Sequence, residues 1–146
     1  MTAFRLERVV AAPPPEVWRR VTDWRAHAAL VPLTSLASAD PGPPGPGTVF
    51  VVRTGVGRVG FDDPMEIVEW SPPGPSGPGR CELVKRGRVI RGWAVIEVRA
   101  SGSGSVVVWT EEARVRGVPR RLAAWEARVG RALFGRALDA LLRSAG

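Results

Sequence analysis

Apolar and polar positions along the chain change period several times, and each change marks an element. Phe4 to Val10 opens with the alternation of a half-buried strand. Ala11 to Pro15 ends it. The prolines then supply a first turn for a short helix, Glu16 to Asp23, with Val17, Trp18 and Val21 on one face. A second short helix, about Trp24 to Leu30, ends near Pro32. The run Pro41-Gly42-Pro43-Pro44-Gly45-Pro46-Gly47 can continue neither a ladder nor a helix, so it reads as a surface loop.

From there to Val115 the signal is strand. β-Branched and aromatic runs cover Thr48 to Thr54, Gly60 to Trp70, Arg80 to Arg86, Val89 to Arg99 and Ser105 to Val115, with glycine-rich punctuation between them. Connections this short force antiparallel neighbours, because parallel strands need long crossovers. Val118 to Arg143 predicts one long helix, opened by Pro119 after Gly117. Its apolar stripe, Leu122, Trp125, Val129, Leu133, Ala137 and Leu141, demands a buried face. The expected fold class is α+β in a single domain over residues 1–146. A curved antiparallel sheet of about six or seven strands wraps around the last helix, since only by curling does such a sheet bury its apolar face.

Composition narrows the chemistry. The chain is 45% hydrophobic and 24% charged, an ordinary balance for a water-soluble domain. No stretch approaches the roughly 20 apolar residues of a membrane span, and Met1 to Val10 lacks a signal-peptide apolar region, so a cytoplasmic location is expected. A net charge of +7 ordinarily raises nucleic acid or an anionic membrane as partner. Here, however, Lys85 is the only lysine and the arginines are spread over every segment, the bias of a GC-rich genome; no specific nucleic-acid partner is expected. The chain has no Asn, Gln or Tyr, and one each of Cys (Cys81) and His (His27). Side-chain amide oxyanion holes, Cys-His-Asn arrangements, tyrosine acids and multi-His or thiolate metal sites are thereby excluded, and no metal or cofactor is expected.

Several motifs need weighing. Gly55-Val56-Gly57-Arg58-Val59-Gly60 matches the dinucleotide-binding string, but Phe61 to Val68 behind it reads as strand and not as the helix whose N-terminus would hold a pyrophosphate. A hairpin turn is expected. His27, among alanines, reads as a solvated helix position. Asp62, Asp63 and Glu66 read as cross-strand charge partners of Arg53 and Arg58. Glu111 is of greater interest, because a period of two from Val107 and Trp109 puts it on the inward face and Glu112 outside. An inward carboxylate has a raised pKa and can act as general acid, general base or ligand anchor; at the sheet rim, paired with an arginine, it would do none of these. Lys85, Arg86 and Arg91 are its possible partners.

Six tryptophans, Trp18, Trp24, Trp70, Trp93, Trp109 and Trp125, give the interior aromatic bulk enough to wall a cavity. The other face of the last helix carries Arg120, Arg121, Arg128, Arg131, Arg136 and Arg143 against Glu126 and Asp139. That face suits either solvent or an anionic surface.

Three segments in order resemble the SRPBCC superfamily, the START-like or birch-pollen-allergen fold, and within it the polyketide cyclase/dehydrase and lipid-transport proteins. They are Ala12-Pro13-Pro14-Pro15-Glu16-Val17-Trp18 with Thr22-Asp23-Trp24; Gly47-Thr48-Val49-Phe50 leading to Met65-Glu66-Ile67-Val68-Glu69-Trp70 and Pro72-Pro73; and Gly104-Ser105-Val106-Val107-Val108-Trp109. The resemblance implies a helix-grip fold with a ligand space between sheet and last helix. It also implies an apolar ligand such as a lipid or polyketide, either carried or, in some members, cyclised or dehydrated. Tyrosine and asparagine, which position polyketides in the aromatase/cyclase branch, are missing here.

On this footing the alternation pattern lines a pocket with Phe50, Val52, Phe61, Met65, Ile67, Ile90, Ala94, Trp109, Leu122, Trp125 and Val129, with Glu111 as polar anchor. The expected partner is an apolar small molecule. The alternatives are a cyclase/dehydratase in which Glu111 is catalytic, and an interaction module that uses the arginine-rich helix face against a membrane, RNA or acidic protein.

Overall fold

The structure is a computed structural model and describes residues 3–75 and 77–143. Its elements run β1 (Phe4–Val10), α1 (Pro14–Val21), α2 (Trp24–Leu30), β2 (Thr34–Ala39), β3 (Val49–Val56), β4 (Val59–Ser71), β5 (Gly79–Arg86), β6 (Ile90–Ser101), β7 (Gly104–Val115), a 3-10 turn (Arg120–Leu122) and α3 (Ala123–Arg143). Among the described residues these strands form one seven-stranded antiparallel sheet in the order β1-β7-β6-β5-β4-β3-β2. Consecutive strands are neighbours from β2 to β7, as their short connections require, and β1 closes the far edge beside β7.

The local chemistry explains the boundaries. Prolines occupy the first turn of α1, where a missing N–H is harmless. The Asp23 carboxylate caps α2 by accepting from the Ala26 N–H at 3.0 Å. The turn between β3 and β4 is Gly57-Arg58, with Gly57 at φ +58°, a conformation glycine enters without steric penalty. The GxGxxG string is thus a hairpin. Pro64 sits in mid-strand but is tolerated, because pairing of β4 with β5 begins one residue later, at Met65. A bulge between Ile67 and Glu69 shifts the parity of β4. That shift turns Trp70 inward, to meet the edge of Trp18 at 5.1 Å between ring centroids.

One strand is missed by the sequence pattern and one helix boundary needs correction. β2 is a strand that its own residues do not announce: Thr34-Ser35-Leu36-Ala37-Ser38-Ala39 holds one large apolar side chain, and its state is fixed by its ladder to β3. The last helix begins at Ala123 instead of Val118, because Pro119 opens only a 3-10 turn. Its stripe is also divided. Ala137, Leu138, Leu141 and Leu142 are buried against the core, whereas Leu122, Trp125, Val129 and Leu133 are 42%, 62%, 38% and 38% exposed.

The core therefore lies at one end of the sheet. Phe4, Leu6, Val17, Val21, Ile96, Val98, Val107 and Leu138 pack there between sheet, α1 and the second half of α3. Each such side chain contributes about 1.5–3 kcal/mol through its burial. Along its length α3 touches β1, β7, α1 and α2. At Gly130 it comes so close to β1 that an added Cβ would sit 3.0 Å from the Phe4 ring. Of the other tryptophans, Trp93 points to the outer face of β6 opposite Glu112. Among the described residues no helix is long and apolar enough to cross a membrane.

Candidate functional site: an apolar cavity with a buried charge cluster

Where the first half of α3 stands off the sheet, it roofs a cavity of about 530 Å³. This lies within the roughly 300–1,000 Å³ range of small-molecule sites. Strand parity sets the floor. The inward side chains of β3 supply Phe50 and Val52, those of β4 Phe61 and Met65, those of β6 Ile90 and Ala94, and β7 adds Trp109. Trp125, Val129 and Phe134 come from α3, and Trp24 and His27 from α2. Trp24 stacks on Phe50 at 4.8 Å with 8° between planes, which joins α2 to the β3 floor.

Glu111 points inward and is 1% exposed. Its Oε1 accepts the Trp109 Nε1–H at 3.1 Å, and its Oε2 lies 3.8 Å from Lys85 Nζ. Asp63 Oδ2 lies 3.7 Å from the same ammonium. All three residues are buried and line the cavity. Lys85 stands on β5, and β6 separates it from Glu111 on β7. The inward face of β6 at that level carries only Gly92, paired with Lys85, and Ala94, paired with Glu111. These small residues clear a trough through which lysine and glutamate approach each other over about 10 Å, two strand spacings. A Cβ on Gly92 would fall 1.8 Å from the Glu112 carbonyl oxygen, so the strand admits only glycine there.

Burial pushes the Glu111 carboxyl above its ordinary range, and the Lys85 charge and the Trp109 hydrogen bond offset this only in part. Asp63 is raised for the same reason, with Lys85 opposing. One ammonium facing two buried carboxylates leaves one negative charge in excess. Glu111, the more buried carboxyl, also feels the charge of Asp63, which raises it further. Asp63 Oδ1 and Glu111 Oε2 accept no hydrogen bond from the described residues.

Most of the expected lining residues come together here, with two exceptions. Ile67 is fully buried in the core below the cavity, and Leu122 lies outside on the 3-10 turn, exposed because the helix stripe begins too early for the roof. His27 is corrected from a solvated position to a half-buried wall residue. Its Nε2–H donates to the Val21 carbonyl at 2.8 Å, its ring packs 4.8 Å from Trp109, and burial lowers its pKa to about 4, so the imidazole is neutral.

Asp63 is corrected as well. Asp62 pairs with Arg53 at 3.2 Å as a surface partner should, but Asp63 faces inward to Lys85, and Glu66 pairs with Arg86 at 2.8 Å. The signal for Asp63 was present, since it lies midway between Phe61 and Met65, both on the inward parity. Cys81 is a buried strand residue whose thiol is pushed up to about 12 by burial, which makes it inert. On α3, Asp139 and Glu126 turn to Arg8 and Arg114 at 2.6 Å and 3.5 Å. Among the described residues no group of three or more His, Cys, Asp or Glu could hold a metal ion.

The fold is shared with solved structures of low sequence identity. The Zhui aromatase/cyclase from Streptomyces sp. R1128 is 16% identical, with 98% of this chain and 92% of that one covered and a TM-score of 0.62. TTHA0849 from Thermus thermophilus is 18% identical over 99% of both chains, at a TM-score of 0.64. The di-domain ARO/CYC StfQ of the steffimycin biosynthetic pathway is 12% identical, covering 99% of this chain and 50% of that one, at a TM-score of 0.70. At such identities the likeness establishes the fold and nothing finer. A sequence comparison with curated proteins finds no significant match. The family model described as "Polyketide cyclase / dehydrase and lipid transport" matches residues 1–146, and the chain belongs to that family.

Proposed function

We propose that this protein binds an apolar small molecule between its sheet and the first half of α3, with Glu111 as the polar anchor at the cavity floor. The observation that carries this reading is the cavity itself, about 530 Å³ of largely aromatic and aliphatic wall. Ligand contact would bury the half-exposed Trp125, Val129 and Leu133, which gives the roof an energetic reason to be apolar. Native mass spectrometry of protein purified from its host tests the reading. A copurifying mass that denaturation releases is expected; bare protein that also takes up no apolar probe such as pyrene sinks it.

The buried Asp63–Lys85–Glu111 cluster favours a second reading. A protonated Glu111 can give its proton to a carbonyl or departing hydroxyl, the step that cyclisation or dehydration of a polyketide-like substrate requires. Under this reading Glu111→Gln abolishes turnover and leaves binding intact, whereas unchanged turnover removes Glu111 from the chemistry.

A further inference from the structure

The charge cluster has an unusual geometry. Three ionisable side chains converge on one spot of the cavity wall, yet the ammonium stands 3.7 Å and 3.8 Å from the two carboxylates, beyond direct hydrogen-bond distance. Lys85 Nζ donates to the Met65 sulfur at 3.8 Å, a weak acceptor. One oxygen of Asp63 and one of Glu111 have no donor among the described residues. Buried groups in this condition hold their full desolvation penalty until a partner arrives.

A ligand group that pairs with this cluster must satisfy two demands at once. It has to offer a proton to Asp63 Oδ1 and a lone pair to the ammonium of Lys85 or the hydroxyl of a protonated Glu111. A hydrocarbon does neither, and a ketone does only the second. An anionic head group, such as a fatty-acid carboxylate, gives no proton and adds a further negative group beside a single cation, in a wall whose other basic residue, His27, is neutral. A neutral hydroxyl does both with one oxygen.

We propose that the cavity selects neutral hydroxylated apolar molecules, of phenol or polycyclic alcohol type, and rejects their carboxylate counterparts, with the ligand hydroxyl donating to Asp63 and accepting from Lys85 or Glu111. This deepens the binding function proposed above and rests on it. The aromatic floor supplies affinity, and the cluster supplies the choice among ligands of equal apolar area.

Three probes with one ring system separate these contributions: pyrene, 1-hydroxypyrene and 1-pyrenecarboxylate, titrated by fluorescence against the intact protein. The expected order is 1-hydroxypyrene about tenfold tighter than pyrene, as for one hydrogen bond to a charged group, with the carboxylate weakest. The near-isosteric triple variant Asp63→Leu, Lys85→Met, Glu111→Met, which replaces every charge of the cluster by apolar volume, should bring the affinity ratio of 1-hydroxypyrene to pyrene from about tenfold down to about one, and a ratio that stays near tenfold overturns the role of the cluster. Cooperative urea unfolding of that variant certifies its fold independently of probe binding. Equal binding of pyrene and 1-hydroxypyrene by the unaltered protein, as when water already satisfies the cluster, overturns the selectivity alone. So does tightest binding of the carboxylate. Failure of all three to bind overturns the cavity function together with it.

Discussion

His27 is half-buried and Glu111 buried in the cavity wall, and desolvation moves their titrations in opposite directions. Native His27 holds off its proton until about pH 4, whereas an unfolded histidine takes it up near 6.5. Between those values the unfolded chain binds more protons, so stability is lost as pH falls through the window, by on the order of 3 kcal/mol at about 1.36 kcal/mol per unit. Glu111 works the other way. Its native carboxyl keeps a proton that the unfolded chain has released, so its contribution is largest in acid and declines as pH climbs past the ordinary carboxylate range. Urea denaturation at pH 4.5 and pH 7 should show His27→Phe losing markedly less stability on acidification than the parent protein. Parallel losses would mean that the imidazole is solvated after all.

At the scale of elements the decisive feature is the division of α3. Its second half is anchored by Leu138, 1% exposed, and its first half bears Trp125, 62% exposed, over the cavity. Leu138→Ala should destabilise the protein by about 2–5 kcal/mol, the range for a core cavity. Trp125→Ala should cost under about 1 kcal/mol yet weaken apolar probe binding severalfold. Urea midpoints alongside pyrene titrations check both, and the assignment fails if the two variants behave alike. Much of this arrangement was legible beforehand. β3 to β7 follow from β-branched runs between glycines, and the inward facing of Glu111 follows from counting by two from Val107. The rest was not legible for physical reasons. β2 owes its state to pairing, the standing-off of the roof depends on how far α3 can close on β1, and the approach of Lys85 to Glu111 exists only because Gly92 and Ala94 come into register between them.

Across the whole molecule, positive charge is almost wholly arginine: of the 21 basic residues, Lys85 alone is lysine. The arginines of α3 lie outside, while the single lysine lies inside the cavity beside two carboxyls. Arginine does not acylate under mild conditions. The one side-chain amine of the sequence is therefore inside, and an amine-directed ester small enough to pass Trp125 labels the floor of the cavity at one side-chain position. Peptide mapping should find Lys85 acylated slowly by the free protein and shielded once 1-hydroxypyrene is present, which would turn a plain labelling reagent into a gauge of occupancy.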